Sequence, residues 1–126
     1  MSEGVELSVA RPAGISYVHI PAKDRRDAAA FYAAVFGWEI GGDPDDPSFH
    51  DGTGHVIGRW VTDQAPTADD GIRPYIYVES VTYTLARATG LGATIARPPY
   101  AEGNLTVATF RDPSGNTIGV WQQTAA

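Results

Sequence analysis

Eight side chains in this sequence could together hold and act on a small molecule: Tyr17, His19, Trp60, Arg73, Tyr75, Tyr77, Thr117 and Trp121. In the best-marked segments Val18 and Ile20 alternate with Tyr17 and His19, and Ile76 and Val78 alternate with Arg73, Tyr75 and Tyr77. Strand alternation of this kind sends the polar and aromatic set to one face and the aliphatic set to the other. Aromatic walls suit a planar organic ligand, and Arg73 would anchor its carboxylate or phenolate. His19 is the candidate general base, because imidazole is the side chain that exchanges protons near neutral pH. The competing reading is structural. Tyrosines and tryptophans commonly fill a core while their polar tips find a partner, and His19 would then be a hydrogen-bonded strand histidine.

Other residues carry less. His50 sits beside a turn and His55 follows one, which suits solvated loop residues. Asp43, Asp45 and Asp46 fall in a Pro-containing surface loop, Gly41 to Pro47, whose spacing fixes no three donors on one point. Arg97-Pro98-Pro99-Tyr100 to Gly103 reads as a connecting loop, with a rim over the pocket as the alternative. The chain has no cysteine, so disulfide and thiolate chemistry are excluded. Its net charge of -6, with no basic stripe, disfavours nucleic acid and anionic membranes as partners. The amino terminus, Met1-Ser2-Glu3-Gly4-Val5-Glu6, lacks the pattern of a signal peptide, and no apolar run reaches the ~20 residues of a membrane span. The expectation is a soluble, cytoplasmic protein.

The elements that position these side chains come in two copies. Phe49-His50-Asp51-Gly52-Thr53-Gly54-His55-Val56-Ile57-Gly58-Arg59-Trp60 matches Phe110-Arg111-Asp112-Pro113-Ser114-Gly115-Asn116-Thr117-Ile118-Gly119-Val120-Trp121 at six of twelve positions, with a constant offset of 61. Both stretches read as strand, tight turn, strand. Upstream, each copy has a strand and then a helix. The first helix opens at the N-cap Asp24 and carries Ala28, Phe31, Tyr32 and Val35 on one face; the second opens at Ser80 and carries Val81, Leu85, Ala88 and Leu91. Gly37 and Gly92 close the helices and lead into the next strands. The order in each half is therefore βαβββ. The first module spans residues 13–61, a linker rich in Asp, Pro and Thr spans 62–71, and the second module spans 72–123 of a single domain, 1–126. The ends before Pro12 and after Gln123 read as frayed.

These features resemble the vicinal-oxygen-chelate superfamily, the glyoxalase/bleomycin-resistance/dioxygenase fold. The resemblance rests on Asp24, Phe31-Tyr32 and Phe36-Gly37-Trp38 in the first half, and on Asp112-Pro113-Ser114-Gly115-Asn116 in the second. It covers residues 13–122 and implies an α+β fold in which paired βαβββ modules form a curved cup, usually in a homodimer. It also implies a divalent metal held by His, Glu or Gln from the first and last strands of each module. Carried over by motif, those positions are Tyr17, Gly58, Arg73 and Gly119. Glycine has no donor, arginine is a permanent cation and neutral tyrosine is a poor ligand. The expectation is therefore no metal and no cofactor, with the two glycines leaving room for a ligand; a shift of two residues would instead bring His19 to the first ligand position.

Three functions follow in order. The first is a metal-free binder of a small organic molecule, comparable to the antibiotic-sequestering members of the superfamily. The second is an enzyme of lyase, isomerase or dioxygenase type, using relocated metal ligands or His19 and Arg73 as base and oxyanion stabiliser. The third is a non-catalytic interaction dimer with a closed cup.

Overall fold

The computed structural model describes residues 8–124; the amino-terminal stretch read above for a signal sequence lies outside them. The chain divides into two compact units, residues 1–65 and 66–126. The first contains β1 (Tyr17–Pro21), α1 (Arg25–Phe36), β2 (Glu39–Asp43), β3 (Asp46–His50) and β4 (Ile57–Val61). The second contains β5 (Tyr75–Tyr77), α2 (Val81–Gly90), β6 (Thr94–Glu102), β7 (Leu105–Arg111) and β8 (Thr117–Gln123). Each unit is thus a βαβββ module with one four-stranded mixed sheet. The strand orders are β1-β4-β3-β2 and β5-β8-β7-β6, and in both the first and last strands run parallel.

Local chemistry sets the helix limits. Asp24 and Ser80 are extended N-caps whose side chains accept the N–H of Asp27 and Tyr83, at 2.9 and 3.1 Å. Gly37 closes α1 in the left-handed region, at φ 72°. Each helix covers one face of its own sheet. In the first unit Phe31, Tyr32, Phe49 and Trp60 are buried, the Tyr32 and Phe49 rings both meet Trp60, and Trp38 stacks on Tyr32 at 4.8 Å and on Phe49 at 4.6 Å. In the second, Val81, Leu85 and Ala88 bury with Ala108, Phe110, Ile118 and Val120.

The internal repeat holds through the third strand of each module and then slips. Phe49 pairs with Gly58, nine positions on, whereas Phe110 pairs with Ile118, eight on. The turns show where the extra residue sits. In the first, Asp51 N–H bonds the carbonyl of Val56; in the second, Asp112 N–H bonds that of Asn116, one residue sooner. Gly54 and Gly115 occupy matching left-handed positions, so the insertion falls between Gly54 and Ile57. Beyond it the true counterparts are Arg59 with Gly119 and Trp60 with Val120. The equal spacing of Trp60 and Trp121 is a coincidence of sequence, because a one-residue slip turns a strand over.

Two expected loops are structured. Asp43 ends β2 and Asp46 begins β3, and the two are paired, so the acidic segment is a hairpin and not a loose loop. Arg97 to Glu102 belongs to β6, an edge strand with register irregularities between Ile95 and Tyr100, around Pro98 and Pro99. The segment after Ala65 is tied to its own unit. Thr67 N–H bonds Asn116 Oδ1 at 2.9 Å, Thr117 N–H bonds the Thr67 carbonyl at 2.8 Å, and Arg111 pairs with Asp69 at 2.9 Å.

Candidate functional site

The helix-free face of each sheet carries the polar and aromatic residues. In the first unit parallel pairing sets Tyr17 beside Ile57 and His19 beside Arg59. Tyr17 is 56% exposed and His19 is also exposed. The Tyr17 phenol and the His19 Nε2 are 3.0 Å apart, with the rings edge to face at 5.1 Å. Arg59 lies half-buried beside them. Its Nη2 donates to both Asp46 carboxylate oxygens at 2.7 and 2.9 Å, and its Nε reaches Oδ1 at 3.3 Å. Arg25, at the start of α1, approaches the same carboxylate at 3.6 Å.

Electrostatics follow from this geometry. The hydrogen bond from Arg59 holds the Asp46 carboxyl below its ordinary 3.8, against partial desolvation and with help from the charges of Arg59 and Arg25. Arg59 is raised in turn by its bond to Asp46 and that group's charge, with a smaller contribution from the Tyr17 phenol.

In the second unit Tyr75 pairs with Gly119 and Tyr77 with Trp121. Tyr77 is 53% exposed and meets the Trp121 ring edge to face at 4.9 Å. Continuing across the sheet, Gly119 pairs with Thr109, Thr109 with Arg97, Trp121 with Val107 and Val107 with Tyr100. Arg97 and Tyr100 therefore share this face, and the Arg97 guanidinium lies 3.5 Å from the centre of the Tyr100 ring. Burial raises the Tyr100 phenol above its ordinary 10.0, with Tyr75 adding to the rise and Arg97 opposing it.

Several sequence expectations change. Trp60 is not on the open face; it is 0% exposed in the core beneath α1, because the inserted turn residue inverts β4. Thr117 is buried, and its hydroxyl donates to the Ala68 carbonyl, so it is committed to chain packing. Arg73 is exposed and lies outside β5, two residues before Tyr75. The glycines do not leave room. A Cβ on Gly58 would stand 2.1 Å from the Val18 carbonyl oxygen and 2.5 Å from Phe49 Cζ. One on Gly119 would stand 2.2 Å from Tyr75 Cδ2, since the Tyr75 ring already covers that position. His55 is held by the Ser8 carbonyl at 2.8 Å through Nδ1. Arg59 is the member of these faces that sequence reasoning missed; Asp46 is read there as a surface acid, and Arg97 and Tyr100 as a connecting loop with a pocket rim as the alternative. A count of turn lengths would have found Arg59. Asp46 depends on a pairing across strands that no local pattern marks.

A divalent ion does not fit the corrected positions. In the first unit they are Tyr17 and Arg59, in the second Arg73 and Gly119, and each pair brings a permanent cation and neither a carboxylate nor an imidazole. Among the described residues no three His, Cys, Asp or Glu side chains gather at one point. A depression of about 340 Å³ lies elsewhere in the first unit, lined by Arg26, Ala29, Ile40, Gly41, Gly42, Pro44 and Pro47.

Paired βαβββ modules whose first and last strands run parallel define a vicinal-oxygen-chelate scaffold. Within that class the glyoxalase-like domain model matches residues 17–121, and the chain belongs to this family. A glyoxalase/bleomycin resistance protein/dioxygenase family enzyme from Burkholderia phytofirmans PsJN is similar at 21% identity and TM-score 0.74, over 88% of this chain and 99% of that one. A genomically encoded fosfomycin resistance protein from Listeria monocytogenes gives 16% identity and TM-score 0.74, over 90% and 96%. A glyoxalase/bleomycin resistance protein from Albidiferax ferrireducens T118 gives 21% and 0.69, over 86% and 98%. At such identities the likeness speaks for the fold. No curated protein matches the sequence. Among the described residues no helix is long and apolar enough to cross a membrane.

Proposed function

We propose that the protein binds a small aromatic organic molecule against the open, aromatic faces of its sheets, through side chains and not through a chelated divalent ion. What supports this reading most is the set of positions matched by motif to the superfamily's metal ligands: with β4 in its observed register they are Tyr17, Arg59, Arg73 and Gly119, two of them arginines. A cation in place of a ligand repels a metal and attracts an anionic or π-rich molecule. Exposed Tyr75 and Tyr77, with half-buried Trp121, supply flat apolar surface of the kind small-molecule sites use.

A second reading, proton-transfer catalysis without metal, is favoured by one contact, the 3.0 Å bond between Tyr17 and His19. A phenol that orients an imidazole makes a usable acid–base pair. As in the superfamily at large, the protein is proposed to work as a homodimer in the cytoplasm, which size-exclusion chromatography over a range of concentrations and cell fractionation address.

The test has two measurements on the same preparation. Elemental analysis of protein purified without tag or chelator is expected to find far less than one divalent ion per chain; near-stoichiometric metal overturns the reading. Thermal melting against a panel of planar aromatic compounds is expected to reveal stabilising ligands whose effect falls in Tyr77→Ala and Trp121→Ala. Stabilisation unchanged in both variants removes the second unit's face from the site.

A further inference from the structure

The sequence points to Arg73 as the anion anchor, yet in the first unit the fold builds Arg59 into the open face of the sheet. Two bonds to one carboxylate fix its guanidinium plane, and the extra turn residue aims it toward Tyr17 and His19 and away from the core. Asp46 engages Nε and Nη2, so the Nη1 hydrogens point elsewhere than to that carboxylate. Asp46 is shared, since Arg25 also approaches it, so two guanidiniums contact this one carboxylate. Asp43, in the same hairpin, accepts the Asp45 N–H at 2.8 Å, and Asp45 pairs with Arg26. Beside the cation, Tyr17 and His19 offer an exposed ring pair and a second polar group.

We infer that Arg59, steadied by Asp46 and flanked by Tyr17 and His19, is a binding residue for the carboxylate or phenolate of an acidic aromatic ligand. This rests on the reading that the protein binds a small aromatic molecule, and it assigns the ligand's charge and the residue that recognises it. Fixing the fork in advance reduces the ordering cost on binding, which is why a guanidinium braced by a carboxylate discriminates better than a free one. The ring of the ligand would lie against Tyr17 and His19, with its acidic oxygen on the Arg59 side.

The experiment uses benzoate, benzamide and benzamidine, three planar molecules of nearly one shape carrying negative, no and positive charge. Each is titrated into the full chain and followed by NMR. Benzoate is expected to bind about ten- to a hundredfold more tightly than benzamide, as a charge-assisted hydrogen bond requires, with benzamidine weakest. Arg59→Gln is expected to abolish that preference, bringing benzoate and benzamide to the same affinity, and Arg59→Lys to keep part of it. Arg87→Gln, on α2, controls for loss of one positive charge and is expected to change nothing. Equal affinity for the three probes in the unaltered protein overturns the inference and leaves aromatic binding standing. So does a preference that survives Arg59→Gln and disappears in Arg73→Gln. Absence of saturable binding by all three overturns both readings. The comparison of probes on the unaltered protein needs no variant to fold.

Discussion

Replacing Gly58 or Gly119 by alanine is the same chemical change at two positions that match in the sequence, and the structure demands opposite outcomes. At Gly58 the new methyl would meet the Val18 carbonyl at 2.1 Å and Phe49 Cζ at 2.5 Å. Neither neighbour can yield. Val18 is paired to Gly58 in the parallel β1–β4 ladder, and Phe49 is wedged between Trp38 at 4.6 Å and Trp60 at 4.9 Å. Overpacking at such a site costs about 3–4 kcal/mol, at or just beyond the upper end of its usual range. Removing glycine's backbone freedom from the unfolded chain returns about 0.5–1 kcal/mol. The net loss of about 2–3 kcal/mol corresponds to a fall of roughly 10 °C in melting temperature for a chain of this size. At Gly119 the three nearest atoms all belong to the Tyr75 ring, which is 44% exposed and can swing into solvent. Glycine's entropy gain largely offsets that motion, so Gly119→Ala is expected to melt within about 3 °C of the parent. Circular dichroism melts of the three proteins decide the matter. If Gly58→Ala melts with the parent, or Gly119→Ala is the less stable of the two, then β4 does not turn Gly58 toward the helix and the register argument fails.

Two further outcomes follow from the turn and the ion pair. Asp112→Ala is expected to cost about 2–3 kcal/mol in chemical denaturation, because Asp112 Oδ1 accepts the N–H groups of Ser114, Gly115 and Asn116 in a buried turn; Asp51→Ala, in the more exposed turn, is expected to cost less. The Asp46 carboxyl has a depressed folded value, so its contribution is present above the unfolded value of 3.8 and is lost as pH falls through the lower folded one. Acid melts of Asp46→Asn are therefore expected to converge on those of the parent only below pH 3.8, and convergence well above that value would show that the Arg59 bond does not hold the charge.

Much of this fold is legible in the chain because its signals are local. Asp24, Ser80 and Gly37 mark helix ends through bonds to residues three or four positions away, and Asp112 to Asn116 writes a complete turn in five residues. The faces of β4 were not legible for a physical reason. A strand's periodicity of two has no tolerance for an inserted residue, and the chance agreement of Ile, Gly and Trp across the insertion disguised it. Trp60 was therefore placed with the ligand face and Arg59 was passed over. The pairing of Arg59 with Asp46 is set by alignment of β3 on β4, which no run of neighbours encodes. In β6 the prolines spoke for a loop; an edge strand with irregular pairing tolerates them because it does not need every N–H.

The extra residue between Gly54 and Ile57 bears on how duplicated β-modules diverge. A point substitution changes one side chain and leaves its neighbours where they were. A gain or loss of one codon in a turn exchanges the inner and outer surfaces of a whole strand, moving an arginine out of a core and a tryptophan into it in one event. The two halves of this chain thus differ through the length of one turn as well as through composition. When relatives are compared across such a turn, columns that agree letter for letter can stand for residues that never share an environment.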